Sequence, residues 1–153
     1  LENTSTQFVH TGYPAVAHHE VVLALIQAAA QQKAEHHVGL TATAPGFYGA
    51  QGRTTPHFKP LNAEIPAQLA EQNVLNFEME ASCLFTLSTL ANYRAGAVCV
   101  VVANRHANQF GDEKTKNEGE QRAIMVGLEA VVILAAMDKA KGKNNHWVPE
   151  MGL

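Results

Sequence analysis

Three short groups of residues carry the chemistry that this 153-residue chain can offer. The first is Glu78-Met79-Glu80, in which two carboxylates repel one another unless something polar separates or engages them. A ligand with vicinal hydroxyls would do so, because an ionised carboxylate only accepts hydrogen bonds and can take both hydroxyl protons of a ribose in a fork. Equally, Glu80 suits the first turn of a helix, whose dipole favours negative charge there. The second group is Phe47, Gln51 and Arg53: an aromatic face, an amide with donor and acceptor, and a planar donor fork. Those are the parts needed to hold a planar base that has carbonyl oxygens and a ring N–H, although Phe47 could also anchor the loop and Arg53 could be a solvated charge. The third is Arg105, which follows the apolar run 98–103 and so stands at the rim of a buried sheet. An anion or a carbonyl could meet it there, or water could simply hydrate it.

Other chemistries lack their residues. The eight histidines include the pairs His18-His19 and His36-His37, but neighbouring positions point in different directions, whereas chelating histidines on a helix stand four apart. No H-E-x-x-H, G-x-S-x-G, P-loop or G-x-G-x-x-G is present. A formal charge of −3 without a basic cluster argues against nucleic acid as a partner, and the apolar runs 98–103 and 130–137 are too short to cross a membrane. Cys83 and Cys99 form no C-x-x-C pair and are read as small buried hydrophobes in a reducing compartment.

The elements that must position these groups follow from periodicity. Residues 1–10 suggest a strand ending at the Thr11-Gly12 turn. A helix is expected from Pro14 to about Lys33, carried by Val16, Val21, Val22, Leu25, Ile26 and Ala29. Val38, Leu40 and Ala42 alternate with His37, Gly39 and Thr41 as in a half-buried strand, and Pro45-Gly46 opens a loop to Pro60. A short helix over 65–71, a strand over 74–77 and a helix over 80–93 come next. The run 97–103 has the character of a central strand covered on both faces. The polar stretch 106–116 precedes a last helix over 117–137, and the tail from Lys139 is expected to be loose. Alternation of strands and helices predicts an α/β fold with a largely buried sheet. In such sheets ligands lie at the carboxyl ends of strands, where all three groups stand.

The stretches Thr41-Ala-Thr-Ala-Pro-Gly-Phe-Tyr-Gly-Ala-Gln-Gly-Arg53, Asn76-Phe-Glu-Met-Glu-Ala81 and Val100-Val-Val-Ala-Asn-Arg105 resemble, in order and spacing, the nucleoside phosphorylase family and within it the uridine-cleaving branch. The resemblance covers about 1–137, including Phe8, Pro14-Ala15-Val16 and Glu20, and implies an α/β fold with a mixed central sheet flanked by helices, of which 1–138 would be the C-terminal portion of a single domain and 139–153 a C-terminal tail. It implies phosphorolysis of uridine to uracil and ribose 1-phosphate in pyrimidine salvage, with inorganic phosphate as co-substrate and no cofactor or metal. Phe47 would pack on the uracil, Gln51 and Arg53 would read its carbonyls and N3–H, and Val102, Ala103 and Arg105 would wall the base pocket. Gln51, Arg53 and Arg105 would be the catalytic donors. Glu78, Met79 and Glu80 would line the ribose, with Glu80 on the 2′- and 3′-hydroxyls, and 106–116 would be a mobile flap. Purine-specific relatives and nucleosidases place an Asp after the central strand to protonate a purine N7. Here Ala103-Asn104-Arg105 supplies no acid.

Departures from the family are Gly52, Ala81-Ser82 and the tail beyond Lys139. The family's glycine-rich phosphate loop, its phosphate-binding arginines and a neighbour-subunit histidine are expected ahead of Leu1, in keeping with a first residue that is not Met. The resemblance further implies a cytoplasmic homo-oligomer, a hexamer built from dimers, acting on small molecules. A hydrolytic nucleosidase, or an inactive fragment or binding module lacking the phosphate site, are the alternatives.

Overall fold

Strand β1 (Leu40–Thr43) finds its neighbour in β2 (Val74–Glu78), and the two run parallel. Thr41 lies opposite Asn76, Ala42 opposite Phe77 and Thr43 opposite Glu78, after an irregularity between Leu40 and Thr41. A parallel pair needs a crossover, and helix α2 (Ile65–Glu71) lies within it. Pro66 sits in the first turn of α2, where a missing N–H costs nothing, and Asn73 at φ +59° makes the tight turn into β2. Helix α3 (Ala81–Leu90) follows β2 and buries Ala81, Phe85 and Thr86. Close approach of the two strands is possible because position 39 is glycine: a Cβ there would lie 2.6 Å from Leu75 Cδ1.

These elements belong to one of two compact units in the computed structural model, which describes residues 3–105 and 107–153. The first unit holds the described residues up to Val16 together with Val38–Ala95, and the second holds Ala17–His37 with Gly96–Leu153. In the second, α1 (His19–Gln31) packs on α4 (Glu113–Lys141). Ala24 and Ala28, one turn apart, offer a small-residue face that lets Val126, Ala130, Ile133 and Met137 of α4 come close. Asp112 caps α4 by accepting from Thr115 N–H at 2.7 Å, and Lys139 and Lys141 stand at the end where cations suit the dipole. A short antiparallel pair, β3 (Ala103–Asn104) and β4 (Gln109–Phe110), completes the unit.

The mixture of helices with a parallel pair is the α/β class anticipated, but several local expectations change. The opening forms a 3₁₀ turn at Ser5–Gln7 instead of a strand, and Leu1 and Glu2 lie outside the described residues. Helix α1 starts at His19 and not near Pro14, because His18 Nδ1 accepts from Glu20 N–H and so provides the cap. Alternation in β1 fails: Leu40 is exposed while Ala42 and Thr43 are both buried, since Thr43 turns its hydroxyl into the start of α3. The helix expected over 80–93 spans Ala81–Leu90 with Glu80 as its N-cap residue.

The run 97–102 is the largest difference. Among the described residues it forms no ladder, and Val101 is 72% exposed. A strand exists only by pairing, and among the described residues of the second unit β3 pairs with the two residues of β4 and no others. One side of the run is nonetheless packed, for Val100 Cγ1 lies 2.7 Å from where a Cβ of Gly119 would be. Cys99 is exposed and Cys83 half-buried, so neither is the fully buried hydrophobe anticipated. His106 of the proposed flap is not among the described residues, while 113–116 already belong to α4.

The tail is pinned where looseness was expected. Helix α4 continues to Lys141, Trp147 packs against the α1–α4 core, and the Trp147 indole N–H donates to Gly152 O at 3.0 Å. No described helix is long and apolar enough to cross a membrane.

Candidate functional site

The carboxyl ends of β1 and β2 lie side by side, and both sequence-selected groups of the first unit leave from them. Thr43 pairs with Glu78, and the next residue, Ala44, donates its N–H to Glu78 O at 2.9 Å. The loop bearing Phe47, Gln51 and Arg53 therefore departs beside the turn bearing Glu78, Met79 and Glu80.

At that turn the two acids do different things. One oxygen of Glu78 accepts from the N–H groups of Glu80 at 2.8 Å and Ala81 at 2.5 Å, satisfying donors that the start of α3 would otherwise leave open. Its other oxygen accepts from the Thr43 hydroxyl. Glu78 is thus turned onto the backbone and braces the helix start. Glu80 occupies the N-cap position without a side-chain cap bond, and its side chain is exposed. Met79 between them is half-buried.

Two backbone carbonyls hold the loop that bears Phe47, Gln51 and Arg53, Gly49 O accepting from Gly52 N–H at 3.2 Å. Tyr48 O accepts from Gln51 N–H at 3.2 Å and Arg53 N–H at 2.9 Å, closing the 3₁₀ turn Gly49–Gln51. Gly52 follows at φ +70°, and any Cβ there would lie within 3.0 Å of Ile65, Ala63 and Pro66 atoms at the start of α2. Glycine at this position, one of the departures from the family pattern, therefore meets both a backbone and a packing requirement. The Arg53 guanidinium carbon lies 4.2 Å from the Phe47 ring centroid, and Phe47 meets Tyr48 edge-on at 5.2 Å. Phe47 remains 49% exposed, while Gln51 is only 5% exposed. Arg53 Nε is buried and has no hydrogen-bond acceptor among the described residues. A buried donor of this kind costs free energy until an acceptor reaches it.

Val102, Ala103 and Arg105 belong to the second unit. Val102 O accepts from Gly111 N–H at 3.0 Å, Ala103 pairs with Phe110, and Asn104 Oδ1 accepts from Ala107 N–H at 3.0 Å. Arg105 is half-buried and engaged in interactions of its own. A cavity of about 350 Å³ in the first unit lies elsewhere, between Ser5–Tyr13 and the face made by Thr41, Thr43, Ser82 and Phe85. None of the base- or ribose-selected residues lines it. Among the described residues no three His, Cys, Asp or Glu side chains are grouped to hold a metal ion.

Sequence reasoning passed over Thr43. Its position opposite Glu78 in a parallel pair was the available signal, since a hydroxyl and a carboxylate in register at two strand ends can hydrogen-bond.

The family description "Phosphorylase superfamily" matches residues 2–137. The chain belongs to this superfamily. Among curated members, it is similar to the uridine phosphorylase of Thermococcus kodakarensis, 43% identical over 99% of this chain and 54% of the relative. It is 34% identical to the uridine phosphorylase of Escherichia coli over 85% of this chain and 53% of the relative. The guanosine phosphorylase of Halorubrum lacusprofundi is 33% identical over 87% of this chain and 54% of its own length. The chain thus spans about half the length of the curated relatives it matches. Membership of the phosphorylase superfamily does not by itself choose the base, since both a pyrimidine and a purine nucleoside appear in those names.

Proposed function

We propose that the protein carrying this chain cleaves uridine with inorganic phosphate, giving uracil and ribose 1-phosphate. The observation that carries this reading is the shared departure of the base loop and the ribose turn from the ends of β1 and β2, where Ala44 N–H meets Glu78 O. Relatives named uridine phosphorylase at 43% and 34% identity support it.

In this mechanism phosphate attacks C1′ as the bond to N1 of the base breaks, and the bond's electron pair leaves with uracil. The departing base develops negative charge on its carbonyl oxygens. Arg53, with a buried N–H lacking an acceptor among the described residues, and Gln51 would stabilise that charge electrostatically. The exposed part of Phe47 would take the base ring, beside the Arg53 guanidinium that lies over it. Glu80, exposed at the start of α3, would accept from the 2′- and 3′-hydroxyls, with Met79 against the sugar. The parts that the resemblance gives Val102, Ala103 and Arg105 in base binding belong to the same proposal. So do a homohexameric assembly, a place in pyrimidine salvage and a cytoplasmic location.

The test is product analysis of the natural-length protein with uridine, with and without phosphate. Ribose 1-phosphate should appear by phosphorus NMR in step with uracil, and uracil release should cease when phosphate is withheld. Release of free ribose without phosphate would make the protein a hydrolase instead.

A further inference from the structure

We infer that Thr43 is a positioning residue for ribose recognition, acting through Glu78 to set the turn that presents Glu80; the inference rests on the ribose assignment of Glu80 made above. Thr43 is 8% exposed and in register with Glu78 at the ends of the parallel pair. Its hydroxyl serves both sides of the turn at once. It donates to Glu78 Oε1 and accepts from Ser82 N–H at 2.9 Å. The second Glu78 oxygen accepts from Glu80 and Ala81 N–H. The consecutive amides of Glu80, Ala81 and Ser82 are therefore all tied, directly or through Glu78, to one side chain on β1.

Glu80 makes no cap bond with its own side chain. What fixes its direction is its backbone, and that backbone is held by this relay. A carboxylate must meet two hydroxyls in a fork, so a small rotation at residue 80 loses one of them. The 2′-hydroxyl is the group whose contribution can be read separately, by comparing uridine with 2′-deoxyuridine.

In the natural-length protein, Thr43→Val keeps the volume but removes both hydrogen bonds. It should lower the ratio of kcat/KM for uridine over 2′-deoxyuridine about tenfold, as for loss of a hydrogen bond to a charged group. The dissociation constant of free uracil should not move. Thr43→Ser restores the hydroxyl and should bring the ratio back to within about twofold of wild type by the same reasoning. An unchanged ratio in Thr43→Val, or a serine variant as impaired as the valine, overturns the inference. If Thr43→Val does not fold, Thr43→Ala takes its place with the same expected loss; if both fail to fold, the residue is a structural one and the inference is overturned. Glu80→Ala separates the two readings. If it leaves the ratio unchanged, the ribose assignment itself is wrong, and if it lowers the ratio while Thr43→Val does not, only the relay is wrong.

Discussion

The Arg53 guanidinium lies over the Phe47 ring and keeps one buried N–H without an acceptor among the described residues, so on the proposed reading its removal takes away a ligand's donor more than a support for the loop. Its backbone is held independently by Tyr48 O. In the natural-length protein Arg53→Ala should therefore cut kcat for uridine phosphorolysis by two to three orders of magnitude, about 3–4 kcal/mol of transition-state stabilisation, with little change in thermal stability. Lysine should not restore it, because an ammonium lacks the planar fork and the stack on Phe47. A variant retaining full turnover would remove Arg53 from the base site. Glu80→Ala should behave differently. Nucleoside turnover should fall steeply while uracil binding stays if the carboxylate addresses the sugar as proposed; calorimetric titration with uracil beside steady-state kinetics with uridine checks this, and equal losses would contradict it. Their roles are for these variants to test; that both follow the carboxyl ends of strands was legible in the sequence. The division of labour between Glu78 and Glu80 was not, because it depends on which carboxylate finds the open amides at the start of α3.

Element boundaries were legible wherever local signals decide them: α2 occupies Ile65–Glu71 as periodicity predicts, and β2 lengthens the expected 74–77 by one residue. They were illegible where a distant partner decides. Glu20 is an instance: it is 1% exposed, and its carboxylate receives Lys141 Nζ at 2.7 and 2.9 Å and Trp147 N–H at 2.9 Å. These bonds join the start of α1 to the end of α4 and hold down the tail that composition alone made loose. The Glu20 hydrogen bond, outweighing burial and aided by Asp138, holds the Lys141 pKa above its ordinary value. The folded state thus binds that proton more tightly than the unfolded chain. The stabilisation is complete below the ordinary value of 10.5 and is lost as pH rises through the raised one. Accordingly, the stability difference between wild type and Lys141→Met should be constant at neutral pH and shrink above 10.5. A double-mutant cycle of Glu20→Leu with Lys141→Met should show coupling of about 1–3 kcal/mol. Additive effects in denaturant unfolding would show that the pair does not fasten the two helices.

On the scale of the whole molecule, the second unit has more apolar surface than its own elements cover. Helix α4 buries Val126, Ala130, Ile133 and Met137 against α1 but exposes Ile124, Leu128, Val131 and Val132, and Val98, Val101 and Val102 are exposed as well. Apolar exposure of this kind, with a run that pairs with nothing among the described residues, favours association. The 153-residue chain alone should therefore run as aggregates in size-exclusion chromatography with light scattering, and should show no phosphate-dependent cleavage of uridine. A monodisperse, active monomer would refute this. The α/β class was legible because strand and helix patterns alternate, whereas the pairing of 97–102 was not, since an apolar β-branched run specifies burial without naming its neighbour. The central claim concerns the base, on which relatives named for uridine and for guanosine differ. Its most direct test is the ratio of kcat/KM for uridine over guanosine, measured at saturating phosphate on the natural-length protein. The account predicts a clear preference for uridine, because Gln51 and Arg53 are proposed to donate to pyrimidine carbonyls and Ala103-Asn104-Arg105 offers no acid to a purine N7; a preference for guanosine would contradict it.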